Sequence, residues 1–131
     1  MTDINWLAVV AAAAGSFLLG GPWYSPVLFG RAWNREAGDT RPPGSGHPAK
    51  VFGLSFAFAL VAAAGFAYLL GPNPPLDRAL GHGLLAGGCF VATSFGINYQ
   101  FANRSGLMWL IDAGYHVAQF VLFGLVLGLW H

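Results

Sequence analysis

Polar side chains recur at helical spacing in the last apolar segment of the chain. They are Asp112, Tyr115, His116 and Gln119, the last three of which lie three, four and seven residues along from the first. Residues at positions i, i+3, i+4 and i+7 lie on one face of an α-helix, so these four side chains form one stripe. If the carboxyl group and the imidazole share a site, their titrations are coupled and a proton can pass between them near neutral pH.

Counting residues from the turn at Arg104 brings other polar side chains to a similar depth. Asn98 precedes the turn by six residues and Asp112 follows it by eight, while Ser94 and His116 lie ten and twelve residues away. The aromatic residues that end the first apolar segment are expected on the same side. We therefore predict a ligand, ion or proton site formed by Asp112, His116, Asn98, Tyr24, Ser94, Tyr115 and Trp23.

Two interpretations of Asp112 remain open at this point. In the first, the carboxylate accepts hydrogen bonds from Asn98, Tyr24 or His116 and fixes the packing of the helices, as satisfied buried polar groups do. In the second, it is a proton or cation site, because an ionisable group inside a membrane is expected to be functional.

Other kinds of site are not indicated. Asp112 and His116 offer two metal ligands, whereas zinc sites usually have three or four protein ligands. A haem held by two histidines is disfavoured, because His82 and His116 differ in depth by about 15 Å at helical rise. Cys89 is the only cysteine, which excludes an intrachain disulfide. The chain contains no recognised nucleophile, HExxH or phosphate-loop motif, so we predict no metal and no cofactor. A membrane enzyme stays open only as a distant third interpretation.

The composition places these residues in a lipid bilayer. Only 8% of the 131 residues are charged and 56% are hydrophobic, with a mean hydropathy of +0.57. Soluble domains have about 25% charged residues, which a water-exposed surface requires. The net charge of +1 also excludes nucleic acid as a partner, since no basic surface is available for phosphates.

Four apolar segments are long enough to cross the bilayer, because a spanning helix needs about 20 residues. Ten of the eleven charged residues lie outside these segments, and Asp112 is the exception. We predict one all-α integral membrane domain with four transmembrane helices in an antiparallel bundle. The predicted spans are residues 4–21, 51–70, 79–101 and 107–130.

The connections predict the orientation in the membrane. Ser25 and Pro26 suit the start of a short interfacial helix over residues 26–37, and a Pro/Gly-rich stretch over residues 39–49 predicts a flexible cytoplasmic loop. The first and third loops contain five Lys and Arg residues against one in the second. This bias predicts that both termini are periplasmic or extracellular. Small residues in the spans favour a homo-oligomer.

A short internal similarity links the ends of two spans. Gly21-x-Trp23-Tyr24 resembles Gly96-x-Asn98-Tyr99, and each is followed by an arginine and a tryptophan. If the first two spans form one hairpin and the last two form another, the two hairpins would be related by an axis along the membrane normal.

Several stretches resemble the small bacterial membrane proteins grouped as domain of unknown function family 1761. They are residues 5–9 (NWLAV), 23–33 (WYSPVLFGRAW), 92–101 (ATSFGINYQF) and 111–116 (IDAGYH). The resemblance implies a four-helix integral membrane fold and carries no reaction or substrate. We expect a bacterial inner-membrane protein of unknown activity. The intramembrane carboxyl group predicts a pathway for a small polar solute, an ion or a proton, with the polar site in the cytoplasmic half of the bundle. The alternative is a non-transporting structural or accessory protein in which the polar cluster holds helices together.

Overall fold

The computed structural model describes residues 4–38 and 46–130 as an all-α chain that is 82% helix, with no strand among these residues. Most of the predicted loop 39–49 lies outside the described residues. The helices are α1 (Trp6–Trp23), α2 (Gly30–Ala37), α3 (Pro48–Leu70), α4 (Leu76–Leu85), a π-helix (Ala86–Val91), α5 (Ala92–Phe101) and α6 (Gly106–Leu129).

Four helical segments are long and apolar enough to cross a membrane: Trp6–Trp23, Pro48–Leu70, Leu76–Phe101 and Gly106–Leu129. The second and third begin three residues earlier than the sequence predicts. In α3, Pro48 occupies the first helical turn, where its missing N–H costs no hydrogen bond. The prediction of an all-α membrane protein with four apolar helices is confirmed, and the chain is a multi-pass membrane protein.

The helix after the first span is shorter than the predicted 26–37. The Ser25 hydroxyl donates to the carbonyl of Pro22 at 2.7 Å and accepts from the N–H of Val27, so it stabilises a turn before the helix. The N–H of Gly30 then bonds the carbonyl of Ser25 at 2.9 Å, and α2 starts at this glycine. It ends at Gly38, whose φ of +70° is the left-handed conformation of a helix stop.

Helix α6 is the centre of the bundle and contacts every other helix. Two side-chain hydrogen bonds join it to α1: the Asn5 side chain donates to the carbonyl of Trp130 at 3.0 Å, and the Tyr115 hydroxyl donates to that of Ser16 at 2.9 Å. Apolar side chains of α1, α3, α4 and α6 form the core, among them Val9, Phe66 and Phe123. Helix α6 therefore determines where the other helices lie.

Glycines bring α4 and the π-helix close to α6. A Cβ on Gly83 would collide with the carbonyl oxygen of Phe120, and a Cβ on Gly124 with that of Ala79. A Cβ on Gly87 would lie 2.7 Å from the Cα of Val117. The helices touch through their backbones here, as small residues allow in membranes.

The third span is interrupted by one π-helical turn at Ala86–Val91. Two hydroxyls bond its carbonyls: Thr93 Oγ1 donates to Cys89 at 2.7 Å and Ser94 Oγ donates to Phe90 at 2.8 Å. A π-turn adds a residue to the helix and rotates all that follows relative to a regular α-helix. Helix α5 therefore presents a different face to α6 from the one that a continuous α-helix would present.

Candidate functional site

Asp112 lies near the start of α6 and is 6% exposed. Its carboxylate accepts hydrogen bonds from three side chains. The Tyr24 hydroxyl donates to Oδ1 at 2.5 Å, Trp33 Nε1 donates to Oδ1 at 3.0 Å, and the Tyr99 hydroxyl donates to Oδ2. We call Asp112, Tyr24, Trp33 and Tyr99 the Asp112 cluster.

The cluster joins four elements of the fold. Tyr24 directly follows α1, Trp33 is on α2, Tyr99 is on α5 and Asp112 is on α6. The turn between α1 and α2 is tight, because a Cβ on Gly30 would collide with the carbonyl oxygen of Tyr24. This tight turn brings the side chains of Tyr24 and Trp33 to the same carboxylate.

The donors to Asp112 are two phenols and an indole, all uncharged. Within residues 4–38 and 46–130, no lysine, arginine or histidine forms a salt bridge with it. Burial, and then the hydrogen bond to Asp112, raise the pKa of the Tyr24 phenol well above its usual range. Tyr24 therefore keeps its proton and stays a donor. A carboxylate has about four lone-pair positions, and three donors leave it nearly satisfied.

Aromatic side chains surround the cluster and attach α1 to α6. Trp23 Nε1 donates to the carbonyl of Ile111 at 3.0 Å, and its ring lies against Gly114. The ring of Tyr115 packs on that of Tyr24, with centroids 5.7 Å apart, and fills the space beside Gly20. Trp23 and Tyr115 are therefore neighbours of the cluster that bond to backbone carbonyls.

His116 belongs to a separate pair. Its Nδ1 lies 2.7 Å from Oε1 of the buried Gln119, and since an amide oxygen only accepts, Nδ1 donates. The imidazole stacks on the ring of Phe95 with centroids 4.9 Å apart. Among the described residues, no hydrogen bond joins His116 to Asp112, so the predicted proton exchange has no direct link.

Ser94 and Asn98 are exposed on α5 and are not brought to Asp112. Ser94 bonds the backbone of its own helix, and no hydrogen bond links Asn98 to Asp112 within the described part of the chain. Counting from the turn gives the depth of a residue but not the direction in which it points. Adjacent residues of a helix point about 100° apart, and Tyr99 rather than Asn98 faces Asp112.

Sequence reasoning missed Trp33 and Tyr99 as members of the site. Trp33 lies in the predicted interfacial helix, and tryptophans at a membrane interface usually face the headgroups. Tyr99 has a signal in the internal similarity, where it occupies the position that corresponds to Tyr24. The two tyrosines bond the two oxygens of one carboxylate, so the repeated Gly-x-x-Tyr pattern is the feature that could have found it.

The described side chains do not form a metal-binding group. Across residues 4–38 and 46–130, no three His, Cys, Asp or Glu residues lie close enough to hold one ion. Cys89 is exposed, and the His82 ring bonds the carbonyl of Arg78 at 2.9 Å, four residues earlier on the same helix.

The family model described as "Protein of unknown function (DUF1761)" matches residues 7–128. The match covers almost the whole chain, so the protein belongs to this family. No curated protein and no solved structure matches the chain.

Proposed function

We propose that this member of the DUF1761 family is a non-transporting structural or accessory membrane protein in which the Asp112 cluster holds the helices together. One observation supports the proposal above all others: the buried carboxylate is bonded by three donors from three other elements of its own chain. A carboxylate with these partners needs no ligand from outside. Satisfied buried networks of this kind specify one packing arrangement.

The placement of the cluster supports the same role. The chain changes direction after α1, at Trp23 and Tyr24, and then enters α2. We call this turn together with α2 the α1–α2 corner. Trp23 and Tyr115 add two further side-chain bonds between α1 and α6 next to Asp112. The cluster and these two bonds therefore fix the α1–α2 corner against α5 and α6.

A second candidate is a proton or ion pathway, and one observation favours it. Tyr99 donates to Asp112 and also lines an open groove of about 410 Å³. A phenol between a groove and a buried carboxylate is an arrangement through which a proton can reach that carboxylate. In this role Asp112 would be the proton acceptor, while Tyr24 and Trp33 would orient it.

Replacement of Asp112 by asparagine separates the two candidates, because it removes the charge and keeps an acceptor oxygen. The purified protein is reconstituted into vesicles that contain a pH-sensitive dye, and proton flux is measured under an imposed gradient. We expect flux equal to that of protein-free vesicles for both wild type and Asp112→Asn, with somewhat lower stability of the variant. Asp77→Asn, which changes an exposed carboxylate at the start of α4, is the matched control.

Flux through the wild type that disappears in folded Asp112→Asn and persists in Asp77→Asn would overturn the structural proposal and establish the pathway.

We also propose a bacterial inner-membrane location, which the resemblance to small bacterial membrane proteins implies. Both termini are periplasmic in this proposal, because of the five-to-one Lys and Arg bias of the loops. A reporter fused after His131 tests the orientation. Alkaline phosphatase, which is active only outside the cytoplasm, should be active there, and a fluorescent protein that folds only in the cytoplasm should not fluoresce. The reverse pattern would contradict this orientation.

A homo-oligomer is the remaining part of the proposal. Gly53 and Ala57, four residues apart on α3, are exposed, and an added Cβ on Gly53 meets no atom within 4 Å. Small residues four apart on an exposed helix face allow close helix association in membranes. Gly53→Leu should reduce the oligomer population in native mass spectrometry. A wild-type spectrum that contains only the monomer would contradict the proposal.

A further inference from the structure

An open groove of about 410 Å³ runs along one side of α5 and the start of α6. Four of its lining residues, Thr93, Gly96, Ile97 and Gln100, are spaced i, i+3, i+4 and i+7 along α5 and thus occupy one helix face. The other side is formed by the turn after α5 and by Trp109 of α6. This face lies outside the helix contacts that form the core.

The groove is polar at one end and apolar at the other. Arg104 and Ser105 lie at the turn between α5 and α6, while Ile97, which is 62% exposed, and the Trp109 ring lie deeper in the span. The indole nitrogen of Trp109 is already bonded to the carbonyl of Ala92 at 2.9 Å. The tryptophan therefore presents an apolar ring to the groove rather than a free donor.

Gly96 provides the depth of the groove. A Cβ at this position would lie 3.2 Å from Trp109 Nε1, so a larger residue would fill the space between α5 and α6. The distance from the level of Thr93 to the turn at Arg104 is about 17 Å at helical rise. This is slightly more than half the hydrocarbon thickness of about 30 Å and is close to the depth of one leaflet, which one acyl chain spans.

Arg104 gives the polar end of the groove a positive charge. It is exposed, and no carboxylate in residues 4–38 and 46–130 forms a salt bridge with it. An arginine binds a phosphate group through several N–H donors, and a guanidinium near the membrane surface attracts anionic lipid. An anion at Arg104 therefore has both a charge partner and hydrogen-bond donors.

We propose that this groove binds an anionic phospholipid, with the phosphate at Arg104 and Ser105 and an acyl chain along Ile97, Gly96 and Trp109. The proposal does not depend on the role of Asp112. Tyr99 nevertheless lines the same groove and donates to Asp112, so the bound lipid would lie against a member of the Asp112 cluster.

Native mass spectrometry of the detergent-purified protein tests the proposal with two lipids of identical acyl chains. Dioleoyl-phosphatidylglycerol is anionic and dioleoyl-phosphatidylcholine is zwitterionic, and inorganic phosphate alone is a third ligand. We expect phosphatidylglycerol to bind more tightly than phosphatidylcholine. Arg104→Gln should weaken phosphatidylglycerol binding about fivefold, the effect of one basic residue near a membrane surface. It should weaken phosphatidylcholine binding less, because the choline ammonium of that lipid offsets its phosphate charge.

Arg31→Gln is the matched control, because it removes an exposed arginine on α2, outside the groove. It should retain the preference for phosphatidylglycerol. A second variant, Ile97→Trp, fills the apolar end and should weaken the binding of both lipids while leaving the protein folded, since Ile97 is exposed.

Four results would overturn the proposal. The first is equal binding of the two lipids, and the second is an equal loss in Arg104→Gln and Arg31→Gln. The third is dissociation of an oligomer by Ile97→Trp with lipid binding unchanged, which would assign the groove to a second copy of the chain. Binding of inorganic phosphate as tight as that of phosphatidylglycerol would likewise exclude a role for the acyl chain.

Discussion

The two places where α6 is held most closely differ in the type of contact. At the Asp112 cluster, side chains from α1, α2 and α5 reach one carboxylate through hydrogen bonds. At the contact with α4, Gly124 and Gly83 bring the backbones together without polar side chains. The first region depends on the identity of a few polar groups, whereas the second depends on the absence of a Cβ. The bundle thus uses directional bonds for the α1–α2 corner and close packing for a helix pair.

Removing the carboxylate should have the largest effect. Asp112→Ala leaves two phenols and an indole without their acceptor in a buried site, and we expect a loss of about 3–5 kcal/mol in the free energy of unfolding. Unfolding in mixed dodecyl maltoside and sodium dodecyl sulfate micelles measures it. Asp77→Ala, at an exposed position, should change the free energy by less than about 0.5 kcal/mol. Equal losses in both variants would mean that the Asp112 cluster contributes nothing specific.

A methyl group at the glycine contact should have the next largest effect. Gly124→Ala places a Cβ against the backbone of Ala79, so α4 and α6 must separate, and we expect a loss of about 1–3 kcal/mol. Gly81→Ala is the control on α4, because its Cβ meets no atom within 4 Å. A Gly124→Ala protein as stable as Gly81→Ala would show that the two helices are not in backbone contact.

Ser94→Ala should have the smallest effect. The hydroxyl is exposed and bonds only the carbonyl of Phe90 on its own helix. We expect a change of less than about 1 kcal/mol, near the average for hydrogen bonds within membranes. The same unfolding assay measures it. A loss as large as that of Asp112→Ala would return Ser94 to the site that the sequence predicts.

Much of the fold can be predicted from the sequence, because length and charge position determine which segments cross a bilayer. Asp112 also stands out, since it is the one charged residue inside a predicted span. Its partners are harder to predict. Asn98 and Tyr99 are adjacent and share a depth, and only the rotation of α5 decides which of them meets Asp112.

Two local features explain why the partners of Asp112 could not be predicted from the sequence. The π-helical turn at Ala86–Val91 changes the rotation of α5 about its axis, and the spacing of residues in the sequence does not predict this turn. The turn between α1 and α2 is tight at Gly30, where a Cβ would collide with the Tyr24 carbonyl oxygen, and this turn brings Trp33 to Asp112. Both features act through backbone geometry rather than through residue type.

A double-mutant cycle between Tyr24 and Asp112 tests the central claim most directly. The free energies of unfolding are measured for wild type, Tyr24→Phe, Asp112→Ala and the double variant. We predict a coupling of about 1 kcal/mol or more, because the two side chains share a direct hydrogen bond. Tyr24→Phe with the distant Gly124→Ala should instead be additive. Additivity of Tyr24→Phe with Asp112→Ala would contradict the claim that Asp112 holds the α1–α2 corner in place.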